Sequence, residues 1–179
     1  MSPPTVLLSA TDHSVSVFDS PIQNGLHTLK YRHNIGLGES IAIQMVDFVH
    51  TLHWPVEMMI PVPLGKKRLK ERGYNQVALV ARPLAYQIGL RYEPEALRKT
   101  RDTRSQVGLN ASQRHDNVHN AYQADPNAVK QRSILIMDDV ATTGSTLSAC
   151  TEALLSAGAQ DVYVLTIARA LPHHSLDRV

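Results

Sequence analysis

Two consecutive carboxylates, Asp138 and Asp139, separate an apolar run, Ser133-Ile-Leu-Ile-Met137, from a hydroxyl-rich loop, Ala141-Thr142-Thr143-Gly144-Ser145-Thr146. These residue types in this order suit a definite chemistry. Amides that open a helix lack intrahelical partners and carry partial positive charge, so they favour an anion such as phosphate. Thr142, Thr143, Ser145 and Thr146 add hydroxyl donors. Gly144 allows a positive φ and lets an oxygen approach the backbone closely. Asp138 and Asp139 cannot serve the same phosphate, because like charges repel. They can accept hydrogen bonds from hydroxyls one sugar's width away. Phosphate on the loop and a diol on the carboxylates describe a ribose 5-phosphate. An ordinary strand–turn–helix with a Thr cap would leave the paired acids unexplained.

The run resembles the phosphoribosyl-pyrophosphate (PRPP) signature of type I phosphoribosyltransferases: an apolar run, Asp-Asp, two residues, then Thr-Thr-Gly-x-Thr. Every signature position is filled. An acidic Mg²⁺ pocket of the receiver or haloacid-phosphatase kind has other spacings and does not need Thr-Thr-Gly. The resemblance implies PRPP as ligand, Mg²⁺ carried with it, and Asp138 and Asp139 beside the ribose. Ala141, Thr142, Thr143, Gly144, Ser145 and Thr146 would hold the 5-phosphate.

A second cluster has the opposite charge. Lys66, Lys67, Arg68, Lys70 and Arg72 crowd behind Pro61-Val62-Pro63-Leu64-Gly65, opposed only by Glu71. Alone they read as a solvated basic loop. Beside a phosphate cradle they offer the second anion site that a pyrophosphate needs. Arg68 and Arg72 suit it better than the lysines, because a guanidinium presents two parallel donors. Arg68-x-x-x-Arg72-Gly73-Tyr74-Asn75-Gln76 is similar to the ComF family of phosphoribosyltransferase-like proteins. So are Arg98-x-Thr100, Gln106-x-x-Leu109 and Arg114-x-x-Asn117, with Leu29-Lys30-Tyr31 a weaker element. This likeness spans Gly25 to Arg169. It implies a pyrophosphate loop at Leu64, Gly65 and Lys66, continuing to Lys67. It also implies a flexible loop from Arg98 to Gln106, carrying Arg98, Arg101 and Arg104. The family is associated with DNA uptake, which makes DNA or a DNA-processing protein an alternative partner. Members commonly begin with a four-cysteine zinc module, whereas no Cys precedes Cys150 here.

The elements that must position these residues are partly legible. Ile134 to Met137 has the length and composition of a strand buried on both faces. Leu147, Cys150, Leu154 and Ala157 make one helical stripe that ends near Gly158. Asp161 to Ala168 is a further apolar strand, so this half reads β-loop-α-β, the crossover unit of a parallel sheet. Val56 to Val62 is another strand. Parallel sheets bind ligands beyond the carboxyl ends of their strands, where both candidate loops lie. Leu26 to Arg32 reads as a short basic helix after an Asn24-Gly25 turn. Ile41, Met45, Phe48, Val49 and Leu52 mark a helix preceded by Gly36 and Gly38 and ended by Pro55. Asn75 is the expected cap of a helix through Val77, Val80, Leu84 and Ile88, kinked or loosened at Pro83. Val6 to Leu8 and Val15 to Phe18 suggest a hairpin across Thr11 to Ser14. Glu95 to Leu97 and Asn120 to Gln123 suggest short strands, Ala111 to Val118 a helix, and Asp125-Pro126-Asn127 a turn.

The expectation is therefore an α/β fold: a parallel sheet flanked by helices, type I phosphoribosyltransferase-like, with a flexible loop or hood. The phosphoribosyltransferase-like domain spans 25–170, between an N-terminal extension at 1–24 and a tail at 171–179. With 179 residues the chain suits one domain. A net charge of +2 excludes a polycation. A single cysteine excludes an intramolecular disulfide and a cysteine-based zinc cluster. Absence of a leader or a long apolar segment predicts a cytoplasmic location and no membrane partner. His115 with His119, and His50 with His53, lack a metalloprotease pattern and read as structural. No Ser–His–Asp triad or Walker motif is present. The reaction implied by the resemblance is transfer of phosphoribose to a nitrogen acceptor with release of pyrophosphate. The alternative is a PRPP- or nucleotide-binding protein without turnover. Monomer and homo-oligomer are both open.

Overall fold

The computed structural model describes residues 13–17, 20–31, 34–101 and 121–169. Its centre is a five-stranded sheet in the order β1-β7-β6-β2-β3, parallel throughout. The strands are β1 (His13–Val17), β2 (Met58–Pro61), β3 (Arg91–Tyr92), β6 (Ser133–Ala141) and β7 (Asp161–Arg169). A separate antiparallel pair joins β4 (Leu97–Lys99) to β5 (Tyr122–Ala124). The helices are α1 (Ser20–Tyr31), α2 (Ile35–Thr51), α3 (Lys66–Arg72), α4 (Ala78–Gln87), α5 (Pro126–Val129) and α6 (Ser145–Ser156). The expected parallel sheet flanked by helices is the architecture observed.

Central strand β6 sorts its side chains between two cores. Ile134 and Ile136 enter the core shared with α6, β4 and β5. Leu135 and Met137 enter the core shared with α1, α2 and α4. All four are fully buried. That explains a continuous apolar run in place of an alternating one.

Several local expectations are corrected. Asn24-Gly25 lies inside α1, where burial of Leu26 and Leu29 overrides the turn signal. His13 and Ser14 belong to β1, which pairs in parallel with β7, and so do not form a hairpin turn. Gly36 and Gly38 fall within α2, whose true start is marked by the Asn34 side chain accepting from the Leu37 N–H at 2.9 Å. The basic segment expected as a loop is α3, closed by Gly73 in the left-handed region. Asn75 accepts from the Val77 N–H at 3.1 Å in the turn before α4, so it is not the cap residue of that helix. Asp125 caps α5, with Pro126 at its first turn, where a plain turn was expected. Val6 to Leu8, Ala111 to Val118 and the tail lie outside the described residues.

Pro83 neither breaks nor ends α4, which continues from Ala78 to Gln87. It has no N–H to give the Leu79 carbonyl. That carbonyl faces Gly38 of α2, where an added Cβ would sit 2.5 Å from its oxygen. The two helices thus touch backbone to backbone. Gly38→Ala should cost about 1–3 kcal/mol, the scale of overpacking in a close-packed interior. Urea unfolding checks it, and an unchanged midpoint would contradict the tight contact.

Candidate functional site

The alternation that sorts the apolar residues of β6 continues into the acids. Asp139 follows Leu135 and Met137 toward α1 and α4. There its Oδ2 meets Lys30 Nζ at 2.8 Å and accepts from Gln76 Nε2 at 3.1 Å. Its Oδ1 accepts from the Val140 N–H at 2.9 Å. Asp138 follows Ile134 and Ile136 to the other side, where its charge bears on Tyr122 and Cys150. Its Oδ1 accepts from the Asp139 N–H at 2.8 Å.

This split makes the two acids unlike. Burial and the neighbouring Asp139 charge push Asp138 well above the usual carboxylate range. Burial also opposes ionisation of Asp139. The Lys30 charge, with hydrogen bonds from Lys30, Gln76 and Asp138, outweighs it and holds Asp139 below its usual value. Asp138 therefore keeps a proton to higher pH than its neighbour. Burial likewise raises the Tyr122 phenol and the Cys150 thiol, so both stay neutral.

Beyond Ala141, the last residue of β6, the chain turns through Thr142 and Thr143 into Gly144, which has φ +74° and open space where a Cβ would stand. Gly144 holds the cap position of α6, and no side chain caps that helix. The hydroxyls of this loop are thus not used up as helix caps. Thr143 Oγ1 and Ser145 Oγ are 2.9 Å apart. Asp138 and Thr146 border both the hollow of this loop and a larger cavity of about 750 Å³.

That cavity collects residues from six elements. Asp138, Asp139 and Thr146 line it, facing Leu64, Gly65, Arg68 and Arg72. Lys30 and Tyr31 at the end of α1 form a third wall, with Lys99 and Tyr122 on the β4–β5 side. Ala141, Thr142, Thr143, Gly144 and Ser145 line the adjoining hollow. Lys66 is exposed on α3, away from the cavity wall. Arg98 is exposed and paired with Glu95 at 3.4 Å, and Arg101 is exposed. Arg104 lies outside the described residues. Among the described residues, no three His, Cys, Asp or Glu side chains meet as a metal-ligand set. No described helix is long and apolar enough to cross a membrane.

Lys30, Tyr31, Gln76, Lys99 and Tyr122 were not selected as site residues from the sequence. A lysine in the last turn of a helix reads as a partner for the helix dipole. Its pairing with Asp139 has no local signal. Gln76 had one: it stands four residues after Arg72, whose Nη1 donates to its Oε1 at 2.5 Å.

Comparison with known proteins shows the family to which the chain belongs. A phosphoribosyl transferase domain model matches residues 77–176. The DNA utilization protein YhgH of Escherichia coli O6:H1 is 32% identical over 164 residues, covering 88% of this chain and 71% of that protein. Competence protein F of Haemophilus influenzae is 33% identical, covering 73% of this chain and 57% of its own. Competence protein ComFC of Bacillus subtilis is 28% identical, covering 92% and 66%. Among solved structures, Giardia lamblia APRTase complexed with 9-deazaadenine is 13% identical at a TM-score of 0.48, covering 82% of this chain and 84% of that one. The B. subtilis glutamine PRPP amidotransferase is 20% identical at a TM-score of 0.44, and the match covers 79% of this chain and 26% of that enzyme. The chain belongs to the phosphoribosyl transferase domain family. Its homologues include competence proteins of the ComF type and DNA utilization proteins.

The two acids should affect stability in opposite directions. Below pH 3.8, the ordinary value for Asp, both the folded and unfolded chain hold the Asp138 proton. Above it the unfolded chain releases that proton first, so stability falls until folded Asp138 ionises. Asp138→Asn should therefore be more stable than the parent at neutral pH. Its advantage grows from about pH 4 by at most about 1.4 kcal/mol per pH unit. Asp139→Asn should be less stable at neutral pH, because the depressed Asp139 contributes stability that is present above the ordinary value. Urea unfolding from pH 4 to 8 distinguishes the two, and matching profiles would contradict the division.

Proposed function

We propose that the chain binds PRPP with Mg²⁺ in this cavity and transfers its phosphoribosyl group to a nitrogen acceptor, releasing pyrophosphate. One observation carries this reading: the twin acids open into a single cavity with Leu64, Gly65, Arg68 and Arg72 opposite, while the uncapped start of α6 adjoins it. A volume of about 750 Å³ accommodates a substituted sugar.

In this reading the loop from Ala141 to Thr146 takes the 5-phosphate and the acids lie beside the ribose. The bond from the anomeric carbon to pyrophosphate oxygen breaks as the bond to the acceptor nitrogen forms. Positive charge grows on the ring, and the Asp139 carboxylate stabilises it. Arg68 and Arg72 take up negative charge on the departing oxygens. Mg²⁺, when bound, would neutralise part of that same charge. The donor set near the acids fits an ion that enters on ligand oxygens, with the protein contributing few ligands.

A second reading has support from α3. Arg68, Glu71 and Arg72 line the cavity, whereas Lys66, Lys67 and Lys70 are exposed away from it. That outward face suits a phosphodiester backbone and would serve a DNA-associated role. If DNA and PRPP bind together, the outward lysines carry the DNA. If they compete, DNA occupies the cavity mouth.

Titrating Mg²⁺-PRPP into the protein should show saturable binding. Asp138→Asn with Asp139→Asn should weaken it by at least about 1–2 kcal/mol, the scale of hydrogen bonds to charged groups. No binding by the parent protein would falsify the proposal. Pyrophosphate release across a panel of bases and amines then separates turnover from binding alone.

A further inference from the structure

Three consecutive residues at the end of α1 fasten to three different parts of the site. Leu29 is fully buried in the core, and its carbonyl accepts from the Tyr74 hydroxyl at 2.7 Å. Lys30 reaches across to Asp139. Tyr31 lies under the Arg72 guanidinium, whose Cζ is 5.6 Å from the ring centroid. Gln76 closes the circuit, accepting from Arg72 and donating to Asp139. An acid on the ribose side of the cavity and an arginine on the pyrophosphate side are thereby held from one helix end. This helix lies outside the segment matched by the phosphoribosyl transferase model.

Hydrogen-bond accounting gives Lys30 its role. A carboxylate offers about four acceptor positions. Asp139 uses three of them for Lys30, Gln76 and the Val140 N–H, and Asp138 donates to it as well. A ligand hydroxyl would take the position that Asp138 shares. The Lys30 side chain is 29% exposed and that of Asp139 only 11%, so the pair is shielded from solvent and screened less than a surface pair. The charged and titratable groups that face Asp139 are Lys30 from α1 and Asp138 from its own strand, with Arg72 acting through Gln76.

We propose that Lys30 is a positioning residue, holding the Asp139 carboxylate charged and turned toward the sugar diol. This rests on the reading of the cavity as a PRPP site. Lys30 then acts on the sugar end of the ligand through Asp139, and does not act on the pyrophosphate end.

The test compares Lys30→Met and Lys30→Arg with the parent chain, using ribose 5-phosphate, pyrophosphate and Mg²⁺-PRPP as probes. Lys30→Met should weaken ribose 5-phosphate and PRPP about tenfold or more at neutral pH, while pyrophosphate changes less than about twofold. The acid limb of PRPP binding should move to higher pH, because Asp139 loses the charge that favours its ionised form. Lys30→Arg should restore both affinity and the acid limb. A merely structural lysine would weaken all three probes together, and that result overturns the proposal, as does a Lys30→Met protein equal to the parent. If Lys30→Met does not fold, Lys30→Gln carries the same comparison. Failure of the parent to bind PRPP would instead overturn the reading of the cavity itself.

Discussion

The site depends on strand parity. Consecutive residues of a β-strand point to opposite faces, so two adjacent acids at the end of a buried strand cannot share one environment. β6 is flanked by β2 and β7 and covered on both faces, so each acid emerges into a different layer. Asp139 meets a lysine and an amide from the α1–α4 layer. Asp138 turns to the layer of α6 and β5, where its charge bears on a phenol and a thiol. A sequence repeat of two carboxyls becomes two chemically distinct groups without any further device. The arrangement works against stability: a buried carboxyl beside a second one disfavours its own ionised form. The long strand, paired with β7 along most of its length, and its two apolar cores must offset that.

The partner of Asp139 comes from the other end of the chain. β1 pairs with β7 and precedes α1, so the sheet edge fixes where α1 begins. Leu26 and Leu29 then bury one stripe of α1 against the core of α2 and α4. With one stripe buried, helical geometry directs Lys30 and Tyr31 over the rim. The wall of the cavity is thus set by core packing, and its polar contacts follow. Pro83 and Gly38 work in the same layer: a missing N–H and a missing side chain let α2 and α4 approach closely.

The part of the chain with the strongest local signals was the most legible. β6, the hydroxyl loop, α6 and β7 followed from an apolar run, a motif, a 3.6-residue stripe and a second apolar run. α3 was not legible as a helix because none of its residues is buried, so it has no apolar stripe to read. Its one usable sign was Gly73 after Arg72, a glycine at the position where left-handed backbone ends helices. α1 and the start of α2 were obscured by Asn and Gly residues whose turn preference loses to tertiary burial. β1 was read as half of a hairpin because pairing with β7 leaves no local trace. Of the residues around the cavity, the acids, the loop, Arg68 and Arg72 had signals in type and spacing, whereas Arg98 and Arg101 do not line it. Lys30 and Gln76 could not be placed, since their contacts with Asp139 join distant segments.

Charge balance around the cavity bears on what it can hold. Lys30, Arg68, Arg72 and Lys99 line it with four positive charges, against Glu71, Asp138 and Asp139. Lys30 is committed to Asp139, and Arg72 is already engaged by Gln76 and Tyr31. If Asp138 retains its proton the wall carries two net positive charges; if it ionises, one remains. A ribose bearing both a phosphate and a pyrophosphate brings more negative charge than this wall can neutralise. Loop amides at the start of α6 can offset part of it, because they add partial charge without a counter-ion. In the proposed function, the Mg²⁺ carried with the ligand would meet the remainder. A cavity of fixed, internally paired charges also needs little rearrangement when such a ligand binds, which is the physical basis of electrostatic preorganisation.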